Sequence, residues 1–326
     1  GFGIVPDCVV VRTDDPAPGN IAEKIAAFSG VSQDAVILLS NAKTVYEVPL
    51  TIDASGINTV LGRFTGNTKK ADLSKWRKLA HAQETVFDKT VRIGMVAKYL
   101  DNEDTYISVI EALKAAAWDQ EVNLGLVWLN AEEAKHEDFA MMDGLVVPGG
   151  FGKRGIEGKI AAATYALVHK TPYLGLCLGL QVAVIAATRK AGHKDANSTE
   201  FDPDTKHDVV YIMKDQKGKE STGGTLRLGD YVAKLTPGSK VAKAYGGTKI
   251  TERHRHRYEV NQKFTPDIEK GGLKITGLSP DGKLVEYIEA VDHPYFVATQ
   301  AHPEFKSRPF RPHPLFVELI KTAARR

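Results

Sequence analysis

The sequence predicts an α/β protein built around a mostly parallel sheet. From residue 90 onward, apolar strand-like segments alternate with helix-like segments at the spacing typical of strand–helix–strand units. The region 205–300 is rich in strand-like segments and glycine turns, and should therefore add further strands. The predicted strands are 90–96, 124–129, 144–147 and 173–176, and the predicted helices are 105–117 and 156–169.

The first 75 residues predict a separate α/β segment that is incomplete. Strand-like residues 8–12 and 35–39 flank a turn-rich stretch and a helix, which Asn20 is suited to cap. Two strands do not make a complete doubly wound sheet, so we expect residues 1–75 to be the end of a longer domain. Polar residues 76–90 are predicted to be a linker, and residues 91–326 a second domain.

Composition and charge disfavour several classes of protein. The 326 residues carry a net charge of +3, whereas a nucleic-acid-binding domain is usually strongly basic. No apolar run approaches the ~20 residues of a membrane-spanning helix, and no signal-peptide pattern opens the sequence. The only two cysteines, Cys8 and Cys177, do not make a disulfide framework. We therefore expect a cytoplasmic protein without nucleic-acid or membrane partners.

Cys177 lies between two glycines, in the segment Gly175-Leu-Cys-Leu-Gly179, after a predicted strand and before a helix-like run. This is the pattern of a nucleophile elbow, with cysteine in place of serine. Glycines would remove Cβ clashes in the tight turn, and the helix N-terminus would favour a thiolate. The N–H of Leu178 would be placed to stabilise an oxyanion. A small buried cysteine with no reactivity is the alternative.

A thiolate that transfers an acyl group needs a proton carrier, and the carrier needs a group that orients it. His302 ends an apolar strand-like segment, and Glu304 follows two residues later with a proline between them. The proline restricts the backbone, so the two side chains could be held in one geometry. The sequence therefore predicts a triad of Cys177, His302 and Glu304, although His-Pro-Glu alone is also compatible with a surface turn.

Together with Pro148-Gly-Gly-Phe-Gly152, these motifs resemble the class I, triad-type glutamine amidotransferases. The resemblance implies a three-layer, flavodoxin-like domain that hydrolyses glutamine to glutamate and ammonia. Further segments make essentially the whole chain similar to the CTP synthase family, a group of ligases of pyrimidine biosynthesis. These segments are 151–158, 196–201, 223–229 and 252–261.

The resemblance implies a role for each matching residue. Cys177 would attack the side-chain amide of L-glutamine, His302 would shuttle the proton, and Glu304 would orient His302. Segments 154–157 and 223–229 match regions linked to activation by GTP. Arg257 suits the α-carboxylate of glutamine and Glu200 its α-ammonium. The full set of implied substrate-binding residues is Gly150, Phe151, Leu178, Gln181, Glu200 and Arg257.

The resemblance also implies that residues 1–75 are the tail of a synthetase (amidoligase) domain. That domain would use ammonia, ATP and Mg to aminate UTP to CTP, and would form the homo-oligomer. Lys24 matches a lysine that binds the UTP or CTP phosphates, and Ala42 lies by the ATP site. The chain contains no G-x-x-x-x-G-K-[ST] phosphate loop. We therefore expect no metal site, and no cofactor bound by this chain alone.

Alternatives remain open. Gly150–Gly155 fits the dinucleotide pattern G-x-G-x-x-G, but the acidic residue expected ~20 positions later is missing. In Arg253-His-Arg-His-Arg257, strand alternation would place the arginines on one face and the histidines on the other. Such a strand could bind nucleic acid, or its histidines could form half of a metal site. We expect no carboxylate partners beside the histidines, which disfavours the metal site. A different cysteine hydrolase, or a catalytically silent interaction module, would also fit the motifs.

Overall fold

The computed structural model describes residues 3–4, 6–15, 17–98, 103–213 and 226–326. It divides into two compact units, Gly1–Thr85 and Val86–Arg326. The division falls inside the range 76–90 that the sequence predicts as a linker. More than half of that range is helical, because helix α4 covers Ser74–Glu84.

The first unit is a small α/β segment with two parallel strands. Strand β1 pairs with β2 in register from Val9 opposite Val36 to Thr13 opposite Ser40. Asn20 occupies the N-cap position of α1 as predicted, but its side chain makes no capping hydrogen bond. The elements are β1 (Val9–Thr13), α1 (Ile21–Ser29), β2 (Val36–Ser40), α2 (Val48–Ala54), α3 (Ile57–Thr65) and α4 (Ser74–Glu84).

The second unit contains the predicted alternation of strands and helices, followed by the predicted strand-rich region. Its strands are β3 (Thr90–Ala97), β4 (Asn123–Asn130), β5 (Gly144–Val147), β6 (Tyr173–Leu176), β7 (Asn197–Ser198), β8 (Asp208–Ile212), β9 (Arg227–Leu235), β10 (Lys249–His256), β11 (Tyr258–Val260), β12 (Lys274–Leu278), β13 (Val285–Glu289) and β14 (Phe296–Thr299). Its helices are α5 (Ile107–Asp119), α6 (His136–Ala140), α7 (Ile156–His169), α8 (Leu178–Lys190), α9 (Lys240–Tyr245), α10 (Thr265–Lys270) and α11 (Pro314–Ala323).

In the described part of this unit, nine strands form one sheet in the order β10-β9-β12-β13-β14-β6-β5-β3-β4. The five strands from β14 to β4 are parallel, and the other four pair antiparallel. Numbered along the chain, the parallel strands run 2-1-3-4-5, which is the flavodoxin-like order. The predicted fold class is therefore confirmed. A smaller sheet, in the order β11-β8-β7, lies beside it.

Helices cover both faces of the parallel strands and make three layers. Leu145 and Val147 belong to the apolar core shared with α7 and α8. Val146, between them, belongs to the core shared with α5 and α11. This alternation follows from the two-residue period of a strand. In such a sheet, ligands bind at the carboxyl ends of the strands, near the point where the strand order reverses.

The start of α7 depends on a very close approach to the chain that follows β4. A Cβ added to Gly158 would lie 1.8 Å from the carbonyl oxygen of Ala131. Helix propensity alone would make Gly158→Ala stabilising by about 1 kcal/mol. We expect the opposite, a loss of about 1–3 kcal/mol in the free energy of unfolding, because the two backbones must separate.

Urea denaturation of the second unit measures this loss. Gly247→Ala is the matched control, since nothing lies within 4 Å of its added Cβ and its φ is not in the positive range. Equal unfolding free energies for Gly158→Ala and the parent protein would contradict the packing described here.

Candidate active site

Cys177 lies at a strained turn between β6 and α8. Its φ of 52° and ψ of −97° place it in a region that non-glycine residues rarely adopt. The two flanking glycines are required sterically: an added Cβ at Gly179 would lie 2.2 Å from the carbonyl oxygen of Val147, and one at Gly175 would lie 2.7 Å from that of Gly179. The predicted elbow is thus present, with the N-terminus of α8 directly after the sulfur-bearing residue.

His302 and Glu304 follow β14 and form a hydrogen-bonded pair. Nδ1 of His302 lies 2.6 Å from Oε1 of Glu304, and both side chains are largely buried. The backbone N–H of His302 donates to the carbonyl of Arg253 at 2.7 Å, which fixes the turn. Burial lowers the pKa of His302, but the charges of Glu304 and Cys177 and hydrogen bonds to both raise it well above its usual value.

The sulfur also faces a side chain that the sequence analysis did not single out. Nε2 of Gln300 lies 3.6 Å from Sγ of Cys177, and Oε1 of Gln300 accepts a hydrogen bond of 3.3 Å from Gln181. Gln181 in turn donates to the carbonyl of Tyr258 at 3.2 Å. Both glutamines are buried, so this chain of amides holds its members in place under the sulfur.

The glycine-rich loop after β5 closes the other side of the site. An added Cβ at Gly149 would lie 2.7 Å from Cε1 of His302 and 3.6 Å from Cβ of Cys177, so only glycine fits there. At Gly150 an added Cβ would contact the side chain of Leu178, at 3.4 Å. The loop therefore brings the backbone around Gly150 beside the first residue of α8, as the predicted oxyanion site requires.

Glu200 is brought to the same loop, and Arg257 interacts with Glu200 through charge. Oε1 of Glu200 accepts a hydrogen bond of 2.7 Å from the N–H of Gly152. Burial raises the pKa of Glu200 above its usual value, against the opposing effects of that hydrogen bond and the charges of Lys98 and Arg257. Arg257 comes directly after β10 and is half-buried.

A cavity of about 370 Å³ reaches Cys177 and His302. Phe151, which is 48% exposed, lies on its rim. Tyr106 and Arg255 also line it, and neither was predicted to belong to the site. Its volume is in the range of cavities that bind small molecules.

The strand Arg253–Arg257 is only partly as the sequence predicts. The alternation is confirmed over 253–256, since Arg253 and Arg255 are exposed while His254 and His256 are buried, whereas Arg257 lies after the strand and is half-buried. The expectation that these histidines lack carboxylate partners was wrong. Glu286, on the distant strand β13, lies 3.5 Å from His254, and Glu259, on the next strand β11, lies 3.6 Å from His256.

Arg227 occupies the space between those two carboxylates. It donates to Glu286 at 2.6 Å and to Glu259 at 3.4 Å, and its guanidinium lies over the ring of Tyr231. Among the described residues, no group of three or more His, Cys, Asp or Glu side chains is placed to hold a metal ion. The buried arginine is itself the cation that these two carboxyl groups contact.

Of the two segments that resemble activation regions, 154–157 is fully described. Arg154 donates to the carbonyl of Lys98 at 2.5 Å, and Glu157, in the first turn of α7, forms a two-point ion pair with Arg189. In the segment 223–229, residues 223–225 lie outside the described part of the chain.

In the first unit, Ala42 follows β2 and lines a cleft of about 330 Å³ together with Arg12 and Asn41. Arg12 donates to Asn41 at 2.6 Å, so the cleft lies at the carboxyl ends of β1 and β2. Lys24 is exposed on α1.

No described helix is long and apolar enough to cross a membrane.

Besides Tyr106 and Arg255, sequence reasoning missed Gln300, Gly149, Lys98 and Lys159. Gln300 carried a usable signal, because it precedes His302 by two positions at the same strand end. Gly149 lies within the motif Pro148–Gly152 but no role was assigned to it. The two lysines gave no local signal, since their positions depend on how α7 and β3 pack around the loop.

Comparisons with known proteins agree with this geometry. The family model for glutamine amidotransferase class-I matches residues 101–322, and the model for the CTP synthase N-terminus matches residues 1–65. A CTP synthase of Carboxydothermus hydrogenoformans is 48% identical over 326 residues, which cover 98% of this chain and 61% of that protein. One of Thermomicrobium roseum is 46% identical over 327 residues, covering 99% of this chain and 59% of that protein.

The chain thus spans about three fifths of the length of these curated relatives. Among solved structures, a Trypanosoma brucei CTPS glutaminase domain with bound acivicin superposes with a TM-score of 0.68. It is 37% identical, and the match covers 72% of this chain and 94% of that domain. The chain therefore belongs to the class-I glutamine amidotransferases and, among them, to the CTP synthase family.

Proposed function

We propose that this chain hydrolyses L-glutamine to glutamate and ammonia with Cys177, His302 and Glu304. The observation that carries the proposal is the placement of the sulfur on the strained elbow beside a histidine whose Nδ1 lies 2.6 Å from a buried carboxylate. The relative with a structure that contains acivicin supports the assignment, because it shares the fold and is 37% identical to this chain.

The chemistry follows from the positions of the groups. Sγ of Cys177 attacks the side-chain carbonyl carbon of glutamine, and the oxygen takes the negative charge. The N–H groups of Gly150 and Leu178 would hold this oxyanion, the latter as a helix-start N–H with no partner inside the helix. His302 then donates a proton to the leaving nitrogen, the C–N bond breaks, and ammonia departs from a thioester.

Water completes the reaction. His302 now takes a proton from the attacking water, a second tetrahedral intermediate forms, and the C–S bond breaks to release glutamate. Glu304 keeps the imidazole oriented and stabilises its positive charge in both halves. Gln300 donates toward the sulfur, and would help to hold the negative charge that returns to it.

Charge and shape define how glutamine would be bound. Glu200 would receive the α-ammonium and Arg257 the α-carboxylate, since opposite charges with hydrogen bonds give the strongest polar contacts. The side-chain oxygen of Gln181 would accept from the substrate, because its nitrogen is already bonded to Tyr258 and Gln300. Phe151 would cover the substrate from the rim.

In the whole protein, the ammonia would aminate UTP to CTP with ATP and Mg, and GTP would act as activator. We propose that Lys24 and Ala42 contribute to nucleotide binding there, and that the synthetase part carries the oligomer contacts. The described residues do not fit a magnesium site of their own. Both cysteines are free thiols, which agrees with a reducing, cytoplasmic location.

The test is release of ammonia from glutamine by the purified chain. We expect Cys177→Ala to abolish it, because the thioester forms on the sulfur of Cys177. Cys8→Ala, which removes the other thiol, is the matched control and should retain full activity. If Cys177→Ala keeps the activity, the proposed mechanism is wrong. If neither protein releases ammonia while Cys177 also fails to react with acivicin, the chain is a silent module.

Glu304→Gln should lower kcat by about 10²–10⁴-fold, in line with the loss of the third member of other triads. Because the charge of Glu304 helps to raise the pKa of His302, its removal lowers that pKa. His302 then loses its proton at lower pH, so the alkaline side of the kcat profile should move to lower pH. A profile recorded from pH 6 to 10 checks this, and an unshifted alkaline side would contradict the role of Glu304.

Glutamine binding should weaken as pH falls. Only the ionised carboxylate of Glu200 attracts the α-ammonium. Because burial raises the pKa of Glu200, KM should begin to rise, as the pH is lowered, at a pH above the usual titration range of a glutamate. Glu200→Gln should raise KM about 10–100-fold and remove this pH dependence. The exposed Glu133→Gln is the control. A KM that varies with pH in the same way in Glu200→Gln would exclude Glu200 as the cause.

A further inference from the structure

Two buried lysines lie behind the loop 148–151, and the mechanism above assigns neither of them a role. Lys98 directly follows β3 and is 6% exposed, while Lys159, in the first turns of α7, is fully buried. Both approach the middle of the loop: an added Cβ at Gly150 would lie 3.8 Å from Nζ of Lys159 and 3.8 Å from Cε of Lys98.

Each ammonium donates to a different carbonyl of the loop. Lys159 reaches the carbonyl of Pro148 at 3.4 Å, and Lys98 reaches the carbonyl of Phe151. The peptide between Phe151 and Gly152 is held on both sides, because its N–H donates to Glu200 at 2.7 Å. Since a peptide is planar, with its N–H and C=O on opposite sides, these contacts fix the planes of the Pro148–Gly149 and Phe151–Gly152 peptides, which flank the two peptides that Gly150 joins.

This arrangement is costly to folding. A buried cation loses its hydration, and here two cations are neighbours. Burial, and next the charge of Lys98, lower the pKa of Lys159 to about 7, against a smaller opposing effect of Cys177. An apolar side chain of similar length would fill the space of Lys159 without this cost, so packing alone does not account for a lysine at this position.

We infer that Lys98 and Lys159 are positioning residues for glutamine hydrolysis, which hold the loop so that the N–H of Gly150 faces the sulfur. This inference rests on the proposed function. The two lysines do not touch the reacting atoms; they act through the carbonyls of Pro148 and Phe151. Lys98 also influences the position of Glu200, because it fixes the peptide whose N–H donates to Glu200.

Lys98→Met and Lys159→Met test the inference, because methionine keeps most of the apolar stem and removes the ammonium. Loss of one oxyanion donor costs about 10²–10³-fold in kcat, so a donor that is present but misdirected should cost about 10–100-fold. We expect this loss in kcat from both variants, with a rise in KM for glutamine from Lys98→Met only. The exposed Lys243→Met should behave as the parent.

Two further readouts separate positioning from general stability. The Tm of Lys159→Met should equal or exceed that of the parent, because a buried charge is removed. Hydrogen exchange at the amides of 149–152 should be faster in both lysine variants and unchanged in Lys243→Met. An unchanged kcat, an unchanged exchange rate, or a fall in Tm that accompanies the loss of activity overturns the inference.

Hydrogen exchange also keeps this inference distinct from the proposed function. If the parent chain released no ammonia, glutamine hydrolysis would fail as its function, but the exchange rates would still decide whether the lysines hold the loop. If the parent is active and exchange is faster while kcat falls in both variants, the lysines are positioning residues.

Discussion

The close approach of the β6–α8 turn to β5 is the constraint on which the site depends. Val147 of β5 pairs with Gly175 of β6, and the carbonyl oxygen of Val147 lies only 2.2 Å from the position that a Cβ of Gly179 would take. Helix α8 can therefore begin directly against the end of β5, beside the loop that follows it. On its other side β6 pairs with β14, with Leu176 opposite Thr299, so the residues after each strand emerge next to Cys177. Strand register, rather than the course of long loops, brings the triad together.

The charge states of the buried side chains behind the triad do not oppose a positive charge on His302. Burial, helped by the charge of Arg227, lowers the pKa of His254 to about 3, so this histidine is neutral at neutral pH. Burial also raises the pKa of Glu259 to about 8, although Arg227 opposes this. Arg227 thus faces Glu286 and Glu259 without a protonated histidine beside them. A charged His254 would repel the imidazolium that the proposed mechanism requires at residue 302.

The sequence predicts the part of this structure that local patterns encode. The parallel strands, the helix 156–169, the elbow at Cys177 and the alternation at 253–256 are all confirmed, because each depends on the period or the turn chemistry of one segment. The predictions fail where a contact depends on the packing of segments that are distant in the sequence. Glu286 is 32 residues from His254 along the chain, and only the pairing of distant strands brings them together. Lys159 lies in a helix whose sequence gives no indication that its ammonium reaches a loop carbonyl.

The size and charge of the site favour an amino acid over a peptide as its substrate. The cavity at Cys177 measures about 370 Å³, a volume that suits a small molecule. Glu200 accepts from the N–H of Gly152 and interacts with Arg257 through charge, although neither side chain lines that cavity. A zwitterion satisfies both charges at once, since its ammonium and carboxylate share one carbon. A peptide substrate has neither group at an internal residue, and would leave both side chains desolvated without partners. That penalty, added to the size of the cavity, is the physical reason to prefer free glutamine.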